Sequence, residues 1–109
     1  MEISTIRTGN KAIAKDVKIC SNLFSQARGL MFRMKKNLLM VFPAEQRISL
    51  HMLFVFFPIW CLYLDAGKTI VFQKKLLPFI SFAFPDARAK YVIEVTQDPK
   101  VAVGEKVRW

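Results

Sequence analysis

Hydrophobic and polar residues follow the two-residue period of β-strands along much of this 109-residue chain. In residues 12–20, the apolar Val17 and Ile19 alternate with charged neighbours, which predicts a strand with one face in water. The preceding Thr-Gly-Asn-Lys run at 8–11 is typical of a turn, because glycine and asparagine accept a positive φ. We therefore expect residues 1–7 and 12–20 to pair as a hairpin.

The period then changes to the three- and four-residue spacing of an amphipathic helix. Ser21 offers a side-chain oxygen as the N-cap, and Gly29 falls where helices commonly end in the left-handed conformation. The apolar stripe consists of Leu23, Phe24, Ala27, Leu30 and Met31. One short helix is therefore predicted between Ser21 and Gly29.

Several later apolar runs predict further strands. They lie at 38–42, where Pro43 closes the run, and at 48–52, 60–64, 69–72, 91–95 and 107–109. An Asp-Ala-Gly-Lys turn at 65–68 predicts a second hairpin, and residues 74–84, broken by Pro78, predict an irregular or edge segment. The whole pattern predicts a mainly β (β-rich α+β) fold, a small curled or barrel-like sheet of six to seven short strands with one short helix.

Composition adds a domain count and a charge. The hydrophobic fraction is 53%, and no repeat or linker interrupts the chain, so we expect one domain spanning 1–109. The formal net charge is +9, from 17 Lys and Arg against 8 Asp and Glu, and nine of the basic residues lie in 1–54 and eight in 55–109. Such dispersed charge is typical of a solvated surface, and a nucleic-acid partner is an alternative.

The apolar run 48–64 requires a test for a membrane span. It has 17 residues with no Asp, Glu, Lys or Arg and with His51 as its only basic residue, but it is short for a spanning helix and contains Pro58. Two buried strands explain it better. The N-terminus lacks the basic and apolar regions of a leader. We therefore expect no membrane span and a cytoplasmic location.

Cys20 and Cys61 are the only cysteines, and neither belongs to a C-x-x-C pair. A zinc site built on cysteines is therefore disfavoured, and no metal or cofactor is predicted. Two buried, reduced thiols are the favoured interpretation, and a disulfide between them stays open.

Six motifs in a fixed order carry a resemblance to a known family. They are "ARGLMFR" at 27–33, "LMVFP" at 39–43, "SLHM" at 49–52, "PIWCLYLDAGKTI" at 58–70, "AKYVIEV" at 89–95 and "VGEKV" at 103–107. This succession resembles the domain-of-unknown-function 192 family, small β-rich proteins of bacteria and archaea, over about residues 12–109. Two departures are His51, where the family often has an aromatic residue, and the short stretch 96–102, where it often has a longer helical piece. The resemblance implies a β-rich fold and no established activity.

The "ARGLMFR" run also supplies the leading site hypothesis. Arg28 and Arg33 flank the predicted helix end, where backbone N–H groups and the two guanidinium groups would receive a carboxylate or a phosphate. The expected ligand-binding residues are Arg28, Gly29, Met31, Arg33, His51 and Met52. The chain is therefore predicted to be a small non-catalytic binding or interaction module for an anionic small molecule.

Two alternatives stay open beside it. An enzyme would have its site around His51, which shares a strand face with Ser49 and would act with it or with a cysteine, but no nucleophile motif accompanies them. No catalytic residue is therefore assigned. The apolar run from Leu76 to Phe84 would form a homo-oligomer interface if it is exposed.

Overall fold

The structure, a computed structural model, describes residues 2–20, 37–48, 50–51, 57–78, 82–83 and 85–109. None of these residues is helical, and the predicted helix at 21–29 lies outside them. The eight strands are β1 (Glu2–Thr8), β2 (Lys11–Cys20), β3 (Leu38–Gln46), β4 (Leu50–His51), β5 (Ile59–Leu64), β6 (Ile70–Leu76), β7 (Phe82–Ala83) and β8 (Ala89–Val95). The predicted mainly β fold is confirmed, and two of the strands are pieces of only two residues.

Six strands form one sheet in the order β1-β2-β3-β8-β5-β6. All neighbours are antiparallel except β2 and β3, which run parallel. The remaining two strands, β4 and β7, pair with each other as a separate antiparallel sheet. Both predicted hairpins are confirmed, since β1 pairs with β2 and β5 pairs with β6.

The continuously apolar sequence of β5 follows from its position inside the sheet, between β8 and β6. Its side chains alternate between the two faces of the sheet, and both faces are covered, so five of its six residues are buried. Strands buried on both faces have unbroken hydrophobic sequences.

Among the described residues there is no helical segment with the length and hydrophobicity that a membrane crossing requires.

Two hydrophobic cores lie on opposite faces of the large sheet. The inner core joins residues from both edges of the sheet, so the sheet curls around it: Ile6, Ile13, Ala14, Val17, Leu39, Leu62, Leu64, Ile70, Ile93, Val95 and Val107. The outer core lies on the other face and includes residues of or beside the small sheet: Leu38, Met40, Ile48, Ile59, Cys61, Tyr63, Leu76, Ala83, Ala89 and Val92.

Residues 104–108, here called the closing segment, connect the two edges of the large sheet. The backbones of Arg7 and Arg108 exchange two hydrogen bonds, at 2.8 and 2.7 Å. On the other side, Val107 N–H donates to the Lys68 carbonyl at 2.9 Å and Gly104 N–H to the Ile70 carbonyl at 2.8 Å. The predicted strand at 107–109 is therefore replaced by two isolated bridges, and these bridges join β1 to the start of β6.

Two boundary predictions were wrong. Strand β3 does not end at Pro43 but continues to Gln46. Its pairing with β8 skips from Val41 to Gln46, so no hydrogen bond to β8 is required from the position of Pro43. The strand predicted at 69–72 is β6, which continues to Leu76. Residues 74–76, the start of the segment expected to be irregular or an edge, therefore belong to an edge strand. In the proposed oligomer surface, Leu76 and Ala83 are buried, and Leu77 is 44% exposed.

Candidate functional site

Most of the predicted site residues lie outside the described part of the chain: Arg28, Gly29, Met31, Arg33 and Met52. His51 is placed by its backbone, in β4 opposite Phe82 of β7. Ala83 of β7 packs in the outer core, so the strand of His51 belongs to the layer over the outer face of the large sheet. The site built on these six residues stays a prediction.

A buried polar pair lies on the outer face of the sheet. Cys61 of β5 and Glu94 of β8 are directly opposite each other in the register, so their side chains point to the same face. Glu94 is 4% exposed and Cys61 is fully buried. Among the described residues, Glu94 is the one charged group in the interior.

Tyr63 adds an unpartnered hydroxyl to this pair. It follows Cys61 by two residues in β5 and therefore shares its face. Its side chain is fully buried, its hydroxyl has no hydrogen-bond partner among the described residues, and its ring packs edge-on against Phe72 with centroids 5.4 Å apart. A buried hydroxyl without a partner costs about 1–3 kcal/mol, and this face contains a polar group that none of the described residues satisfies.

Burial determines the protonation of all three groups. It raises the pKa of Glu94 to about 7 and, together with the charge of Glu94, raises the pKa of Cys61 to about 12. Burial also raises the pKa of Tyr63. The Cys61 thiol donates to the Lys74 carbonyl at 3.3 Å and forms no disulfide. Thiol and phenol therefore keep their protons at neutral pH, and neither is a nucleophile there.

The sequence carried a signal for Glu94 that the site hypothesis did not use. Within 91–95, four apolar residues surround a single carboxylate, on a strand that the apolar run marks as buried. A lone ionisable residue in such a run indicates either a wetted face or a buried charge. In the structure, β8 lies between β3 and β5 in a sheet with a hydrophobic core on each face, and Glu94 is buried.

A second candidate site lies where the closing segment meets β1. Its cleft has a volume of about 280 Å³ and is lined by Thr5, Arg7, Arg108 and Trp109. We call it the arginine seam. Arg7 and Arg108 are paired across the antiparallel bridge, which places their side chains on one side of the sheet. Both arginines are exposed.

Neighbouring contacts hold the seam in place. The guanidinium of Arg108 donates through Nη2 to the Gly9 carbonyl at 2.7 Å. The Trp109 ring packs edge-on against Tyr91 at 5.0 Å, and the Lys68 ammonium lies 4.0 Å from its centroid. The seam therefore combines a fixed guanidinium with a packed aromatic wall.

The carboxylates of the described surface are used mainly by backbone amides. Glu45 accepts from Ala66 N–H at 2.7 Å, and Asp65 accepts from Thr69 N–H at 3.0 Å. Asp98 and Glu105 each accept at 2.9 Å, from the N–H groups of Lys100 and Ala102 respectively. These four acids support turns and chain crossings. Among the described residues, no three His, Cys, Asp or Glu side chains are arranged to hold a metal ion.

Comparison with known proteins gives a family. The model of the family described as "Uncharacterized ACR, COG1430" (DUF192) matches residues 4–109. A UPF0127 protein of Thermococcus sibiricus is 32% identical over 111 residues, covering 94% of this chain and 71% of that protein. A UPF0127 protein of Pyrococcus furiosus is 33% identical over 109 residues, covering 94% of this chain and 93% of that protein.

Two solved structures share the fold at low sequence identity. A protein of unknown function from Novosphingobium aromaticivorans superposes with a TM-score of 0.85 at 15% identity, covering 99% of this chain and 85% of that one. A protein from Sinorhizobium meliloti, described as a putative transcription regulator, superposes with a TM-score of 0.80 at 17% identity, covering 99% and 97%. At these identities the likeness concerns the fold.

Proposed function

This chain belongs to the DUF192 family, in which no catalytic function is established, and on that premise we propose that it is a small non-catalytic binding module for an anionic ligand. One observation carries the proposal. The carboxylates Glu45, Asp65, Asp98 and Glu105 accept hydrogen bonds from backbone N–H groups. They are therefore committed to the fold, in a protein whose basic residues already outnumber its acidic ones by 17 to 8.

The electrostatic consequence is a surface with a net positive charge. A fifth acid, Glu94, is buried, and its raised pKa of about 7 leaves it partly neutral at physiological pH. The formal charge of +9 therefore understates the positive potential that an approaching ligand meets. A positive surface field raises the local concentration and the association rate of anions.

The described polar groups of the interior support binding over catalysis. Cys61 and Tyr63 are fully buried and keep their protons, because burial raises both pKa values. A nucleophile needs the deprotonated form and access to a substrate. The arginine pair Arg28 and Arg33 at the predicted helix end is part of the proposal as one anion site, and His51 would line it.

Isothermal titration calorimetry of the full chain tests the proposal. The probes are inorganic phosphate and acetate, with glycerol as an uncharged comparison, at constant ionic strength and pH 7.5. We expect saturable heat with at least one anion and none with glycerol. Absence of saturable heat with both anions would contradict the proposal.

Nucleic acid is the second candidate ligand. Its basis is the dispersed basic surface, together with the description of the Sinorhizobium meliloti neighbour as a putative transcription regulator. Binding through phosphates would weaken steeply with salt, since each contact releases condensed counterions. Fluorescence anisotropy with a labelled DNA duplex and a labelled RNA strand, at two salt concentrations, tests it. A signal that is independent of salt would contradict it.

Three further properties are proposals. We propose a cytoplasmic location, supported by the free thiol of Cys61, and cell fractionation tests it. We propose that residues 1–109 fold as one domain, which a single cooperative unfolding transition would support. A homo-oligomer through residues 76–84 would use Leu77, which is exposed, and light scattering across concentration tests it.

A further inference from the structure

The geometry points to a phosphate-binding site at the arginine seam, in which Arg7 and Arg108 together receive one phosphate group. This inference rests on the proposed anion-binding function and assigns it a site and a ligand class. The seam is distinct from the predicted helix-end site at Arg28 and Arg33. Its residues come from β1 and from the end of the chain, 101 positions apart, and meet only when the sheet closes.

The first support is the pairing geometry. The two backbones exchange both hydrogen bonds of an antiparallel pair, at 2.8 and 2.7 Å, so the side chains of Arg7 and Arg108 stand side by side on one face. Like charges directly opposite each other destabilise a sheet. A dianion between the two guanidinium groups would convert this repulsion into attraction.

The second support is the arrangement of donors around the cleft. Arg108 is held by its hydrogen bond to the Gly9 carbonyl, whereas no described residue is paired with the guanidinium of Arg7. Thr5 lies two residues before Arg7 in β1, lines the same cleft and supplies a hydroxyl. Lys15 of β2 is opposite Thr5 in the register and is exposed. The guanidinium of Arg7, which no described residue holds, the fixed guanidinium of Arg108 and the hydroxyl of Thr5 therefore line one cleft.

The third support concerns the ligand class. Guanidinium groups bind phosphate and carboxylate through paired N–H donors, but a carboxylate has only two oxygens to share. A phosphate group has enough oxygens and charge to engage both arginines and the threonine hydroxyl at once. The cleft has a volume of about 280 Å³ and is bounded by Trp109, which gives room for one phosphate group and the part of a small molecule next to it. We therefore assign the phosphate group of a small molecule.

Calorimetry on the full chain tests the assignment, with inorganic phosphate as the probe at constant ionic strength. The seam variant carries Arg7→Gln and Arg108→Gln. The matched control carries Arg47→Gln and Arg88→Gln, which remove the same charge from two exposed arginines that do not line the cleft. We expect the seam variant to bind phosphate about tenfold more weakly or worse, and the control to change by less than about twofold.

A milder variant covers the case in which the double substitution unfolds the protein. Arg7→Lys keeps the charge and the backbone bridge but loses the planar fork, so phosphate affinity should fall while the thermal midpoint stays unchanged. Glucose 6-phosphate and a short DNA duplex are titrated in parallel. Binding of the sugar phosphate at the affinity of inorganic phosphate or better supports the assignment, and binding of the duplex alone overturns it.

A third double variant separates this inference from the proposed function. If Arg28→Gln with Arg33→Gln abolishes phosphate binding while the seam variant retains it, the seam is not the site, although the anion-binding function stands. If the unsubstituted chain binds neither phosphate nor acetate, both proposals fail.

Discussion

Cys61 and Glu94 are directly opposite each other in the pairing of β5 and β8. Cys61 is fully buried and Glu94 is 4% exposed. The charge of Glu94 adds to burial in raising the pKa of the Cys61 thiol. Burial also raises the pKa of Glu94 itself, from an ordinary 4.5 to about 7. An ionisable pair in the middle of a sheet therefore links stability to pH.

Replacing Glu94 with glutamine should flatten the dependence of stability on pH. Because the folded state holds the proton of Glu94 more tightly than the unfolded state, the stability from this group is fully present below about pH 4.5 and is lost as pH rises through about 7. Urea unfolding at pH 5 and pH 8 measures it. The unsubstituted chain should lose about 2 kcal/mol more between these two pH values than Glu94→Gln does.

Asp86→Asn is the matched control, since Asp86 is exposed and the same charge is removed. Its pH dependence should follow that of the unsubstituted chain. Equal slopes for the unsubstituted chain and Glu94→Gln would mean that Glu94 is ionised in the folded state at pH 5.

Replacing Tyr63 with phenylalanine should stabilise the protein in the absence of any ligand. The substitution removes a buried hydroxyl that no described residue partners and leaves the ring and its edge-on contact with Phe72 intact. The expected gain in the free energy of unfolding is about 1 kcal/mol, measured by urea titration. A loss of 1 kcal/mol or more would show that the hydroxyl has a partner in solution.

The Cys61 thiol should be unreactive while the protein is folded. It is fully buried, and its pKa of about 12 leaves almost no thiolate at pH 8. In a Cys20→Ser variant, a thiol-specific chromogenic reagent should report reaction only at the rate of unfolding and a full thiol in denaturant. Rapid stoichiometric reaction under native conditions would contradict the buried position.

The closing segment should contribute measurably to stability through Val107. This residue is 4% exposed and packs in the inner core, whereas Val103, four residues earlier, is 57% exposed. Val107→Ala should lower the free energy of unfolding by about 1–3 kcal/mol, and the chemically identical Val103→Ala by less than about 0.5 kcal/mol. Equal effects in a denaturant titration would mean that the segment does not close the sheet in solution.

Local chemistry explains which parts of the fold were predictable. The β5–β6 hairpin followed from a turn with Gly67 between two apolar runs, and local turn chemistry specifies such pairing. The end of β3 was misplaced, because the effect of Pro43 depends on whether β8 pairs with it, and it does not. A proline destabilises a strand where its missing N–H would have donated a hydrogen bond to a neighbouring strand, and the local sequence does not reveal whether such a neighbour is present.

The candidate sites depend on long-range pairing, and for this reason the sequence could not assemble them. Arg7 and Arg108 are distant in sequence, and nothing in the local pattern around either predicts their bridge. Glu94 was visible as a lone carboxylate in an apolar strand, but its partner Cys61 is fixed by the order of strands. The helix-end site at Arg28 and Arg33 lies outside the described residues and stays a prediction.

The most direct measurement of the central claim is a two-dimensional ¹H–¹⁵N NMR titration of the full chain with inorganic phosphate at constant ionic strength, with chloride as the balancing anion. If the protein is a binding module for an anionic ligand, a discrete set of amide signals should shift with one saturable dissociation constant. Among them should be the amides of Arg7 and Arg108. Shifts that are small, linear in phosphate and spread over the whole surface would contradict the account.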